Sequence, residues 1–154
     1  MTRRVVVTGI GMITALGHNA CANWEALVAA RSGIDRITLF DPAGYDSQVA
    51  GEVKDFDPSA HMDRKEARRA DRVTQFAFVA AHEALKQSRF EPGSAQNNMA
   101  VIIGTAIGGI TTLVSEYDTL REKGPSRVSP LLMPMMLSDM SSGQLSIKLG
   151  AKGV

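Results

Sequence analysis

The sequence predicts a layered α/β fold with a mostly parallel central sheet. Two runs of consecutive β-branched residues carry the strand prediction: Val5, Val6 and Val7, then Val101, Ile102 and Ile103. Unbroken runs of this kind suit strands covered on both faces. Between and after them lie stretches with helical apolar spacing, so strands alternate with helices. Glycines follow each run, Gly9 and Gly11 after the first and Gly108 and Gly109 after the second.

Each element has its own local reason. Residues 4–8 read as the first buried strand. Asn19 is a capping residue for a helix over 20–30, with Trp24, Leu27 and Val28 on one face and Gly33 beyond its end. Residues 34–53 hold short extended pieces, with Asp41-Pro42 and Gly44 as turn signals. Asp57-Pro58-Ser59 opens a short helix. One long helix is predicted over 63–87. Its second half, FAFVAAHEAL, is apolar on nearly every side and should be deeply buried. Residues 99–105 form the second strand. A helix over 111–123 is stopped by Gly124-Pro125. Pro130 and Pro134 bracket a turn into a last helix over 135–149. The closing residues KLGAKGV read as a helix end, a stop at Gly150, a turn, and at Val154 the first residue of another strand. Two or three strands make a poor sheet with unfinished edges.

Composition narrows the function classes. With 154 residues, 44% hydrophobic and 21% charged, the chain suits one ordinary domain and not a disordered segment. A net charge of +1 gives no global field toward nucleic acid or membrane. The single cysteine, Cys21, makes no internal disulfide. The apolar N-terminal run is interrupted by Thr8, Gly9, Gly11 and Thr14, so it reads as strand and turn and not as a signal peptide. No apolar stretch is long enough to span a bilayer, and a cytoplasmic location is expected.

Several stretches invite a chemical reading. GIGMITALG sits where a dinucleotide-binding loop would, but that loop needs glycine where Thr14 stands, so a glycine turn is preferred. GTAIGG lacks the Lys-Ser/Thr of a phosphate loop; its glycines admit either a packing neighbour or a ligand. His18 and Cys21 are too few for a metal site. Cys21 reads as a small, partly buried filler, His61 as a loop residue and His82 as a satisfied core histidine. No cofactor or metal is predicted.

DRKEARRADR, residues 63–72, is the most informative stretch. On one continuous helix Lys65, Arg68, Arg69 and Arg72 share a narrow arc. Like charges four apart cost a helix about 0.2–0.5 kcal/mol per pair, and cations near a helix start oppose its dipole. Two readings stand: a solvated face neutralised by Glu66 and Asp71, or a docking site for an acidic partner. Interleaved aromatics, which single-stranded nucleic acid would want, are missing.

Four pieces in one order and spacing, RRVVVTGIGMITALG, RKEARRADRVTQFA, GTAIGG and SPLLMPMML, carry a resemblance over the whole chain. It resembles the beta-ketoacyl-[acyl-carrier-protein] synthases, the elongating condensing enzymes of bacterial fatty acid synthesis, and in particular their type II branch. The resemblance implies a thiolase-like fold with α-β-α-β-α layers, of which residues 1–154 would be most of the N-terminal half. It implies a homodimer and acyl- and malonyl-loaded acyl carrier protein as partner, with no nucleic acid, membrane or cofactor. Lys65, Arg68 and Arg69 match the residues that dock the carrier. Ile107 matches a residue lining the acyl pocket, and Leu132 one that reaches that pocket across the dimer interface. Leucine stands there where an aromatic is common, which bears on chain-length preference. Met133, Met135 and Met136 suit either core packing or an acyl tunnel. No catalytic residue is matched: Cys21, His18, His61 and His82 align with none, and the nucleophilic cysteine is expected just after Val154. A polyketide-type ketosynthase and a non-catalytic protein that binds the carrier or dimerises are the alternatives.

Overall fold

A computed structural model describes residues 3–94 and 96–153. The elements in chain order are α1 (Ala20–Val28), β1 (Asp35–Arg36), β2 (Val49–Ala50), α2 (Arg64–Ala67), α3 (Arg72–Ser88), α4 (Ile110–Lys123), α5 (Leu132–Met136) and α6 (Met140–Leu149). Short 3-10 turns occur at Pro58–Ala60, Pro92–Ser94, Gln96–Asn98 and Pro125–Arg127. The chain divides into two compact units, one of Met1–Asp57 with Val79–Arg89 and one of Pro58–Phe78 with Phe90–Val154.

In the first unit the Asn19 side chain accepts from the Ala22 N–H and starts α1, as its residue type requires. The apolar face predicted for α1 turns outward, with Trp24 68% exposed; Asn23 and Ala26 are buried instead. Asn23 is held there because its Nδ2 donates to the carbonyls of Gly17 and Asn19, both at 2.8 Å. β1 and β2 pair antiparallel, Asp35 opposite Ala50 and Arg36 opposite Val49. The intervening turn is held by the Tyr45 N–H on the Pro42 carbonyl at 3.1 Å.

The glycine turn lies against α3. A Cβ on Gly11 would stand 1.8 Å from the Ala80 carbonyl oxygen, and one on Gly9 2.0 Å from that of Ala84. Close packing on a helix thus accounts for both glycines. Glu83 receives the Met12 and Ala20 N–H groups at 2.9 Å each, and Gln87 receives the Ile10 N–H at 2.6 Å. One face of α3 is therefore occupied by the turn. Of the apolar half, Val79 is buried, its phenylalanines, alanines and Leu85 are half-buried, and His82 is exposed. The deep burial expected there, and the core histidine, are corrected: only part of the helix surface is covered.

The two predicted strands are the larger correction. Residues 4–8 and 99–105 carry no strand pairing among the described residues. Val5 is 94% exposed and Ile102 93%. A β-branched run becomes a strand when a neighbour supplies a ladder of N–H and C=O groups; the Gly153 N–H on the Met99 carbonyl gives the second run one such bond but not a ladder.

In the second unit the predicted long helix is two helices. Asp63 starts α2, accepting from the Lys65 N–H at 2.7 Å. The helix ends at Ala67, and Arg68–Asp71 forms a turn before α3. α4 runs one residue earlier than predicted and stops at Gly124, whose φ of 82° a residue with a side chain rarely adopts. The predicted last helix is also two. Pro134 is the third residue of α5, where its missing N–H costs no intrahelical bond. Leu137 is extended, which separates α5 from α6. Gly150 terminates α6 with φ 67°, as expected. Beyond it the Lys152 and Gly153 N–H groups bond the carbonyls of Gln96 and Met99 at 2.8 and 2.9 Å. Val154, the predicted strand start, lies outside the described residues.

Candidate functional site

All five residues singled out for a site belong to the second unit. Lys65 sits in α2 and Arg68 and Arg69 in the turn after it; all three are exposed. They make no ion pair among the described residues. Of the three acids in the segment, Asp63 caps α2 beside the stripe, and Glu66 and Asp71 bond residues outside it. Glu66 binds the Lys148 ammonium at 2.5 Å. Asp71 is 4% exposed and its Oδ2 accepts from the Thr112 N–H at 3.0 Å and hydroxyl at 2.5 Å. Arg64, Lys65, Arg68 and Arg69 thus face Asp63 on one cavity, which leaves the stripe net positive. Arg72 leaves the stripe, because the break after Ala67 removes the continuous helix; its guanidinium lies 4.8 Å over the Phe76 ring.

The stripe borders a cavity of about 460 Å³ lined by Asp63, Arg64, Lys65, Arg68, Arg69 and Leu131. Arg68 also lines a second one of about 270 Å³ with Thr112, Leu131 and Met135. Leu132 is half-buried in α5 and Ile107 is exposed in the loop before α4. The structure links these segments. The Gly109 N–H donates to the Met136 carbonyl at 2.9 Å. A Cβ on Gly109 would lie 2.1 Å from the Met135 carbonyl oxygen, and one on Gly108 2.6 Å from that of Met136. For Gly108 and Gly109 the packing alternative is what the structure gives; Gly104 has open space around it.

The first unit contains a cleft of comparable size, about 470 Å³, with His18, Asp35, Glu52 and Lys54 on its walls. Asp55 lines it as well, so one lysine stands among three carboxylates. Lys54 binds Asp35 at 2.7 Å, which lowers the Asp35 pKa and raises that of Lys54. Glu52 accepts from Thr38 and Leu39, and the Thr38 bond lowers its pKa. His18 Nε2 meets the Lys54 carbonyl at 2.9 Å.

Cys21 is exposed, not the partly buried filler expected. Its thiol donates to Glu25 at 3.4 Å, and that bond, followed by the charge of Glu25, raises its pKa. A nucleophilic cysteine needs the reverse. His61 is exposed beside the 3-10 turn at Pro58–Ala60. Among the described residues no group of three or more His, Cys, Asp or Glu side chains is arranged to hold a metal, and no helix is long and apolar enough to cross a membrane. Sequence reasoning placed Asp71 beside the stripe but missed its bond to Thr112; an aspartate directly before a helix start was the available signal.

A model of the family described as Beta-ketoacyl synthase, N-terminal domain, matches residues 2–154. The chain belongs to the beta-ketoacyl synthase family. Against 3-oxoacyl-[acyl-carrier-protein] synthase 2 of Staphylococcus aureus (strain COL), this ketosynthase chain is 44% identical over 152 residues, 98% of its own length and 37% of that protein's. Its fold matches the ishigamide ketosynthase/chain length factor with a TM-score of 0.84, at 28% identity over 98% of this chain and 38% of that one. A beta-ketoacyl synthase from Burkholderia phymatum STM815 matches with a TM-score of 0.81, at 26% identity over 99% of this chain and 38% of that one. The chain thus spans little more than a third of these relatives. Its backbone follows the N-terminal part of the thiolase-like α/β fold, with most of the sheet's hydrogen-bonded ladder absent among the described residues.

Proposed function

We propose that residues 1–154 are the carrier-docking and acyl-pocket part of an elongating condensing enzyme, a 3-oxoacyl-[acyl-carrier-protein] synthase of type II. The observation that carries this reading is the exposed, net-positive cluster of Lys65, Arg68 and Arg69, none of them in an ion pair among the described residues, beside Leu131. An acidic helix of acyl carrier protein complements it, and the curated relative named above carries the carrier in its own name. In the proposed reaction an acyl group passes from the carrier to a cysteine thiolate. Malonyl carrier loses CO2, and the resulting carbanion attacks the acyl thioester. A carbon–carbon bond forms and the thiolate leaves. Ile107 and Leu132 line the acyl chain, Leu132 from the partner of a cytoplasmic homodimer.

The nucleophile and the histidines that steady the enolate are proposed to lie beyond Val154. Two observations support this: Glu25 raises the Cys21 pKa, the opposite of what activates a thiol, and the relatives are far longer than this chain. The bonds from Lys152 and Gly153 to Gln96 and Met99 support a further strand beside 99–105. The 28% identity to the ishigamide ketosynthase/chain length factor keeps a polyketide-type ketosynthase as second reading; 44% to the fatty acid enzyme favours the first.

Reversing charge at Lys65, Arg68 and Arg69 together tests the docking assignment. At low salt it should weaken acyl-carrier-protein binding by about tenfold or more and flatten its salt dependence. Unchanged affinity in isothermal titration removes the assignment.

A further inference from the structure

Asp71 joins the two parts of the proposed site through one buried carboxylate. It directly follows the basic turn of Arg68, Arg69 and Ala70. Its Oδ1 accepts from the Val73 N–H at 3.2 Å and so caps α3. Its Oδ2 accepts from Thr112, at 3.0 Å from the N–H and 2.5 Å from the hydroxyl. Thr112 is the third residue of α4, and the N-cap of that helix is Gly109, which has no side chain to offer. Asp71 therefore supplies from 41 residues away the cap that α4 lacks. The positive ends of two helices converge on one carboxylate.

Both segments held by Asp71 are fixed at their other side as well. Gln75 Nε2 donates to the carbonyls of Ala67 and Ala70 at 2.9 and 3.0 Å, which sets the basic turn. Gly109 is bonded to Met136 in α5, the helix of Leu132, as described above. Asp71 also packs on the backbone of the α4 N-cap: a Cβ on Gly109 would stand 3.0 Å from the Asp71 carboxyl carbon. A shift of the basic turn therefore reaches the start of α4, and the loop that carries Ile107, through the Asp71 carboxylate, even though Arg68 itself borders the cavity shared with Thr112, Leu131 and Met135. Packed interfaces of this kind transmit small displacements.

We propose that Asp71 is a positioning residue that couples carrier docking to occupancy of the acyl pocket. The inference rests on the docking and pocket roles proposed above, and it adds that the two sites exchange binding energy through the Asp71–Thr112 bonds. By linkage the coupling is reciprocal: an acyl chain in the pocket changes carrier affinity by the same factor as the carrier changes acyl affinity.

The test uses the protein as its native gene encodes it, apo acyl carrier protein without its pantetheine arm, and decanoyl-pantetheine as the pocket probe. Carrier affinity is measured with and without the probe. In the wild type the probe should change it by about fivefold or more. In Asp71→Asn, which keeps the shape but turns one acceptor into a donor, the change should fall below about twofold. Thr112→Val removes only the hydroxyl bond and should reduce the factor part-way, and Thr112→Ser should restore it; both serve if Asp71→Asn melts early. An equal factor in wild type, Asp71→Asn and Thr112→Val, or no change in the wild type, overturns the coupling. A wild type that does not bind the carrier at all defeats the docking reading and the coupling with it.

Discussion

Glu25 decides the chemistry of the chain's single thiol. The hydrogen bond from Cys21 to Glu25, and the negative charge behind it, favour the protonated thiol. A raised pKa means less thiolate at any pH below it, so Cys21 should be alkylated by iodoacetamide more slowly than free cysteine at neutral pH. Glu25→Gln removes the charge and should speed the reaction; a slower or unchanged rate contradicts the assignment. At this scale the sequence was partly legible. The charges of Lys65, Arg68 and Arg69 could be read directly, because exposed residues keep the properties of their type. The fate of Glu66 and Asp71 could not, since their partners, Lys148 and Thr112, are 82 and 41 residues away. Those long-range bonds decide how much negative charge stays beside the stripe.

Helix starts and stops follow from neighbours, and most were predictable. Asn19, Asp63, Gly124 and Gly150 act where their residue types place them. Asn19→Ala should cost about 1 kcal/mol of stability, read as a lowered midpoint in urea unfolding. Gly11→Ala is a sharper case. Its Cβ would meet the Ala80 carbonyl at 1.8 Å, so the turn must move off α3. A loss of about 1–3 kcal/mol is expected, by analogy with other overpacked sites; a neutral variant would contradict the packing of the glycine turn on this helix. The break of 63–87 into α2 and α3 was not legible, because the helical spacing of its apolar residues continues through it. What ends the helix is Asp71, drawn to Thr112 and capping α3. Pro134 shows the converse: read as a turn residue, it sits inside α5 at a position that tolerates proline.

For the whole molecule, the α/β class was legible and its realisation was not. The runs at 4–8 and 99–105 were recognised as strand sequences, and the backbone follows the ketosynthase fold. Yet a strand is a property of a pair, and the pairing partners of these runs are not among the described residues. Val5, Val7 and Ile102 are left exposed. Exposed β-branched runs are adhesive. The isolated 154-residue polypeptide should self-associate with rising concentration in sedimentation velocity; a clean monomer at all concentrations would mean that these runs are covered in solution.

We propose a division of labour in which residues 1–154 receive the carrier and its acyl chain but supply no nucleophile. Intact-mass spectrometry of the 154-residue polypeptide after incubation with acyl- and malonyl-loaded carrier protein tests it most directly. The predicted result is an unmodified polypeptide mass and carrier species that carry no 3-oxoacyl product. An acyl adduct on Cys21, or a condensed product on the carrier, would contradict the claim.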